Sequence, residues 1–208
     1  MAEGSARPGR LIIMVREPRS GAVKTRLAAE IGTVEAIRFY RSVTVALIRR
    51  LAFDRRWQTI LAAAPDTARM SRSWPAGVQR VAQGDGDIGA RMERLLRSQA
   101  CPAVLIGSDI PWVEASHIAE AFMLLRRNDA VFGPAEDGGF WLVGLKPLPH
   151  LRDIFRDVRW SSPDALADTL ANLAGRKVGF AARLADVDDG ETYWLIGANA
   201  IRVTQRKG

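Results

Sequence analysis

Ala103-Val104-Leu105-Ile106-Gly107-Ser108-Asp109-Ile110-Pro111 is the stretch that decides the fold class. Its first four residues are all apolar and too few for a helix, so they read as a strand buried on both faces. Gly107 ends the run, and an aspartate and a proline follow at its carboxyl end. A similar run, Leu11-Ile12-Ile13-Met14-Val15, stands near the N-terminus, and further strands are read at 59–63 and 78–82. Between them the apolar period lengthens to that of a helix. Ile37, Tyr40, Val43, Thr44, Leu47, Ile48 and Leu51 recur at three-four spacing over 34–53, with Thr33 as the expected N-cap. Met92, Leu95 and Leu96 share a face of a helix over 88–99, as do Ile118, Ala121, Phe122 and Leu125 over 114–127.

Further on, 130–132 and 140–143 read as strands around a turn rich in glycine and acids. A helix is expected over 163–173, with Ser161 or Ser162 as cap, Pro163 at its start and Gly175 closing it. A last strand over 177–181 and a helix over 191–201 complete the pattern. Strands alternating with helices predict an α/β fold, a three-layer α/β/α sandwich around a mostly parallel sheet. In such sheets ligands bind beyond the carboxyl ends of the strands, so the loops after Val15, Ile106 and Phe132 carry the search for function. No repeat or linker interrupts the chain. One domain is expected over 10–203, with a disordered tail over 1–9 and a frayed one over 204–208.

Composition narrows the class. Of the 208 residues 48% are hydrophobic and 25% charged, as in ordinary globular chains, so a core can form. No apolar run approaches the roughly 18 residues a bilayer span needs, and residues 1–10 lack the apolar centre of a signal peptide. The lone Cys101 cannot form an internal disulfide, and these features together point to the cytoplasm. The formal charge is +7, and only four of the cations are lysines: Lys24, Lys146, Lys177 and Lys207. The arginines are spread along the chain without a helix-turn-helix, zinc-finger or RNA-binding signature, which argues against nucleic acid as partner. The sign favours anionic ligands.

Four loops hold the candidate chemistry. The first, Arg16 to Arg26, contains Gly21, Lys24 and Thr25 but not the glycine spacing of a P-loop. Its cations Arg16, Arg19, Lys24 and Arg26, beside a helix start, suit a di- or triphosphate cradle; a solvated basic loop is the plainer account. The second, Gln83-Gly84-Asp85-Gly86-Asp87-Ile88-Gly89, lacks the final acid of a calcium loop. It reads either as a turn with Asp87 capping the next helix or as a nucleotide contact. In the third, Asp109 at a strand end points into the cleft, and a carboxylate beside phosphates requires a divalent cation such as Mg²⁺ or Mn²⁺. The fourth, Gly133-Pro134-Ala135-Glu136-Asp137-Gly138-Gly139, offers Asp137 as metal ligand, hydroxyl binder or general base, or simply as a hairpin turn. Near the end, Asp189 suits a helix cap, and either Asp186 or Asp188 is placed to close a metal site. His117, His150 and Cys101 do not cluster, and no Gly-x-Ser-x-Gly elbow occurs.

Taken in order, GAVKTRLAAEIG (21–32), QGDGDIGARM (83–92), GSDIPWV (107–113), GPAEDGGFWLVGL (133–145), IFRDVRWSS (154–162) and LADVDD (184–189) resemble a bacterial family. That family lies in the nucleotide-diphospho-sugar transferase superfamily, has the glycosyltransferase A fold, and has long been catalogued as a domain of unknown function, of the kind associated with selenodomain and radical-SAM proteins. Two departures from its pattern are Arg16-Glu17-Pro18, where Lys-x-Pro is usual, and Asp189, where Thr is common. The resemblance implies a metal-dependent transferase with a nucleotide-diphospho-sugar donor. Molybdenum-cofactor and phospholactate guanylyltransferases look like more distant relatives, so transfer of a nucleotidyl group from an NTP to a phosphorylated acceptor is the alternative. It implies that Arg16, Gly21, Lys24, Arg26, Gly89 and Ser108 meet the nucleotide and its phosphates. Asp109 then holds Mg²⁺ or Mn²⁺, with Asp188 or Asp137 completing the metal site, and Asp137 faces a small-molecule acceptor as candidate base.

Overall fold

Leu11, Ile12, Ile13 and Val15 are almost wholly removed from solvent on both faces of the strand they form, which places that strand in the middle of a sheet. The computed structural model describes residues 8–19, 25–149 and 151–184, with Thr25 and Arg26 described by backbone alone. In order these residues form β1 (Gly9–Arg16), α1 (Thr25–Ile31), α2 (Thr33–Leu51), β2 (Trp57–Ala64), a 3-10 turn (Asp66–Met70), β3 (Gln79–Ala82), α3 (Ile88–Arg97), β4 (Ala103–Ile106), α4 (Ala115–Leu125), β5 (Ala130–Pro134), β6 (Phe140–Leu145), α5 (Ala165–Ala171) and β7 (Val178–Phe180). The helix expected over 191–201, the tail over 204–208 and residues 1–7 lie outside the described residues; Gly9, expected in the N-terminal tail, is instead the first residue of β1.

The strands form one seven-stranded sheet in the order β3-β2-β1-β4-β6-β5-β7. β1 pairs in parallel with β2 and β4, β2 with β3, and β5 with β7. β6 alone runs antiparallel to both its neighbours, β4 and β5. Two apolar layers cover the sheet. On one face Leu11, Ile13 and Val15 pack with Leu47, Ile48 and Leu51 of α2 and with Ile118, Ala121 and Leu125 of α4. On the other, Ile12 and Met14 pack with Met92, Leu95 and Leu96 of α3, and Leu166 and Leu170 of α5 pack against the same cluster. The expected three-layer sandwich is therefore present.

Local details differ from the sequence reading. Residues 25–31 form a short helix, α1, which overlaps the end of the loop read over 16–26. One residue, Gly32, separates α1 from α2. It takes a φ of 87°, which a glycine adopts without steric cost, and it stands at the N-cap position expected for Thr33. Thr33 is the first helical residue instead. α5 starts at Ala165 with Asp164 as N-cap, two residues later than expected. Ser162 still contributes: its Oγ accepts from the Asp164 N–H at 3.2 Å. Asp87 caps α3 as one reading had it, accepting from the Ala90 N–H at 2.8 Å.

The carboxyl edge of the sheet is tied together by Gln83, whose side-chain amide is buried. Its Nε2 donates to the carbonyls of Val15 at 3.2 Å and Ala62 at 2.9 Å. Its backbone N–H donates to Ala63 at 3.2 Å, and the Glu17 N–H donates to Ala64 at 2.8 Å. The ends of β1, β2 and β3 are thereby held level.

Candidate active site

The antiparallel course of β6 builds the site. Ile106 at the end of β4 sits beside Leu142 near the start of β6. The loop leaving β4 and the turn entering β6 therefore emerge side by side, and they carry Asp109 and Asp137. Both aspartates are exposed, and both line one cleft of about 320 Å³. Gly107 and Ile110 line its β4 side; Gly139, Phe140 and Trp141 line its β6 side. Trp160, Ser161 and Ser162 close it from the segment before α5, and Ile88 and Met92 from α3.

Each carboxylate is held differently. Asp137 Oδ1 accepts from the Gly139 N–H at 2.9 Å, an aspartate turn that fixes the side chain while leaving Oδ2 for other work. The turn is anchored at Gly138, whose φ is 85° and whose Cβ position is filled by the backbone of Pro163. The Gly138 carbonyl accepts from the Leu166 N–H of α5 at 3.1 Å. Asp109 lies beside Tyr40 of α2. Burial pushes the Tyr40 phenol above its ordinary value, and the negative charge of Asp109 pushes it the same way. The Tyr40 hydroxyl accepts from the Arg16 N–H at 2.9 Å and shares a hydrogen bond with Ser108 Oγ at 3.1 Å. One phenol thus joins α2, the end of β1 and the end of β4.

The wall made by residues 159–162 is clamped from behind. Arg159 donates from Nε and Nη2 to Asp168 of α5, at 2.9 and 2.8 Å, and its Nη1 meets Asp164 at 2.7 Å. Hydrogen bonding to Arg159 holds the Asp168 carboxyl down to about 2. Ser161 has a φ of 57°, a left-handed conformation that a non-glycine residue keeps only where its surroundings enforce it. Trp160, Phe155 and Phe140 pack as an aromatic group with centroids 5.9–6.3 Å apart.

The sequence-derived candidates are distributed as follows. Asp109 and Asp137 both line the cleft. Arg16 stands exposed at the carboxyl end of β1, close by through Tyr40. Ser108 is buried, and its hydroxyl faces Tyr40 rather than the cleft. Gly89 is a packing position: a Cβ there would lie 2.7 Å from the Trp160 ring, so its absence lets α3 approach the cleft wall. Gly21, Lys24, the Arg26 side chain and Asp188 lie outside what is described. Trp160, Ser161, Ser162 and Trp141 were not singled out by their chemistry; the stretches 133–145 and 154–162 were the signals available. Among the described residues no group of three His, Cys, Asp or Glu side chains forms a metal cage. Two carboxylates on one cleft suit an ion of the Mg²⁺ type, which takes one or two carboxylates and completes its shell with substrate phosphates and water.

The sheet, with its one antiparallel strand, has the fold of the nucleotide-diphospho-sugar transferase class. The chain belongs to the bacterial family described as "Uncharacterized protein conserved in bacteria (DUF2064)", whose family model matches residues 47–162, more than half of its length. It is similar to a proposed nucleotide-diphospho-sugar transferase from Desulfovibrio desulfuricans G20, with a TM-score of 0.81 and 26% identity over 88% of this chain and 83% of that one. It shares its fold with 4-diphosphocytidyl-2C-methyl-D-erythritol synthase from Anaerococcus prevotii, with a TM-score of 0.56 and 11% identity over 94% and 98% of the two chains. It likewise shares the fold of glucosyl-3-phosphoglycerate synthase from Mycobacterium tuberculosis, solved with Mn²⁺, uridine diphosphate and glucosyl-3-phosphoglycerate. That likeness has a TM-score of 0.51 and 12% identity over 86% and 71% of the chains. No curated protein matches the chain.

Proposed function

We propose that this protein transfers a sugar from a nucleotide-diphospho-sugar donor to a small-molecule acceptor, with a divalent cation. The observation that carries the reading is the convergence of Asp109 and Asp137 on one cleft at the carboxyl edge of the sheet. Asp109 would hold Mg²⁺ or Mn²⁺ together with the donor diphosphate, and Asp188 is the further candidate ligand. Bound there, the cation offsets the charge that develops on the departing diphosphate. Arg16, Lys24 and Arg26 support the same charge from the first loop. Asp137, fixed through Oδ1, takes the acceptor hydroxyl proton at Oδ2 as the new bond forms. The Trp141 and Trp160 rings wall the cleft against water.

Similarity to the Desulfovibrio protein supports a sugar donor over nucleotidyl transfer. The two readings break different bonds, so their products differ. Sugar transfer releases a nucleoside diphosphate, whereas nucleotidyl transfer from an NTP releases pyrophosphate. The test offers a panel of nucleotide-sugars and NTPs with Mn²⁺ and candidate acceptors, and the phosphate products are separated by ion-exchange chromatography. Nucleoside diphosphate is the expected product; pyrophosphate from an NTP would replace this reading with the nucleotidyl one.

A further inference from the structure

A second groove lies on the outer flank of α2 and shares no lining residue with the cleft above. Its volume is about 550 Å³, within the range of small-molecule sites. Arg38, Arg41 and Arg49 enter it from α2, and Arg72 faces them from the loop after the 3-10 turn. The spacing of three and eight residues puts the helical arginines on one exposed stripe, alongside the buried stripe of Tyr40, Thr44, Leu47 and Ile48. Ser42 and Ser73 add hydroxyls, and no acidic residue lines the groove. Arg38 is half-satisfied by Glu35, 2.9 Å away. Among the described residues Arg41, Arg49 and Arg72 form no hydrogen bond or ion pair.

Arg41, Arg49 and Arg72, gathered without matching carboxylates beside an Arg38 that Glu35 pairs, repel one another, and an anion between them removes that cost. A single phosphate is too small for the set: Arg38 and Arg49 are separated along the helix by about 16 Å. The ligand therefore carries several linked anionic groups. A nucleic-acid strand is disfavoured because it needs aromatic faces for its bases. The aromatic ring in the groove, Trp74, is buried, with its indole N–H spent on the Ala68 carbonyl at 2.9 Å. We infer that this groove is a binding site for an oligophosphate, a chain of three or more linked phosphates, held by Arg38, Arg41, Arg49 and Arg72. Guanidinium groups suit it because each can engage phosphate oxygens in pairs. The same helix carries Tyr40, which lies beside Asp109 of the cleft, so one element adjoins both sites.

Isothermal titration of the full chain with tripolyphosphate tests the inference. The double variant Arg41→Gln/Arg49→Gln is expected to lose one equivalent of bound tripolyphosphate or to bind it about tenfold more weakly. Arg72→Gln, on the facing loop, should weaken it in the same direction. Circular dichroism melting verifies that each variant is folded. Stoichiometry and affinity unchanged in both arginine variants would overturn the inference. So would an oligothymidylate that binds the groove more tightly than tripolyphosphate at equal salt.

Discussion

Asp109 and Asp137 have the same side chain and different surroundings, so their loss should separate cleanly. Asp109→Asn keeps the shape and removes the charge. It is expected to abolish Mn²⁺-dependent nucleotide binding while the fold persists, as read by titration of Mn²⁺ and nucleotide together. Retained Mn²⁺ affinity would remove Asp109 from the metal site. Asp137→Ala is expected to keep donor and metal affinity and to slow transfer by about 10²- to 10⁴-fold. Loss of the Gly139 hydrogen bond adds only about 1 kcal/mol of destabilisation at most, because the turn is exposed. Should donor binding fall with turnover, Asp137 is a metal ligand; should turnover be normal, it is a turn residue alone. Both residues were legible in the sequence because each follows or precedes an apolar run at a loop. Ser108 shows what was not legible. Its place in the motif is plain, but the partner that claims its hydroxyl, Tyr40, lies 68 positions away on another element.

At the scale of elements, the strands and long helices follow from their apolar periods. The errors fall at helix starts and in short pieces. α1 is seven residues long, too short for a period to declare itself, and the positive φ of Gly32 shifts the start of α2 to Thr33. The segment 159–162 carried no period at all. Its conformation is imposed by α5 through the Arg159–Asp168 pair, a contact no local pattern encodes. That pair gives a pH prediction with a definite sign. The Asp168 carboxyl is held at about 2, below its ordinary value of 3.8. A depressed carboxyl stabilises the fold above its ordinary value and stops doing so as pH falls through its depressed one. The pair is exposed, so the effect is modest and screened by salt. Asp168→Asn should therefore melt below the parent near neutral pH, and the two melting curves should converge as pH falls from about 4 toward 2. A difference that persists at the acid end would mean the carboxylate charge plays no part.

For the whole molecule, ligand and stability are linked. A donor that binds only the folded chain, present at about 100 times its dissociation constant, stabilises by about 2.7 kcal/mol. In a chain of this length each kcal/mol moves Tm by about 2–4 °C, so a shift of about 5–10 °C is expected. A panel of nucleoside diphosphates and nucleotide-sugars, each with and without Mn²⁺, reads this by calorimetry. The shift should need both components, since the cleft supplies two carboxylates and leaves the rest of the ion's shell to the phosphates. An equal shift without Mn²⁺ would mean that the cations of the first loop suffice.

The position of Gln83 also bears on which ligands this edge of the sheet can distinguish. Four carbonyls at the ends of β1 and β2 each already accept a hydrogen bond from Gln83 or Glu17, which leaves each oxygen at most one lone pair for a ligand. A base amino group or a protonated amine laid across β1 and β2 would find its natural acceptors partly engaged. An incoming molecule that offers acceptors of its own would instead meet the Arg16 guanidinium. Selectivity at this edge of the sheet is thus built in by subtraction: a buried side chain and two neighbouring amides engage the groups that would welcome a donor, leaving a rim that prefers oxygen-rich guests.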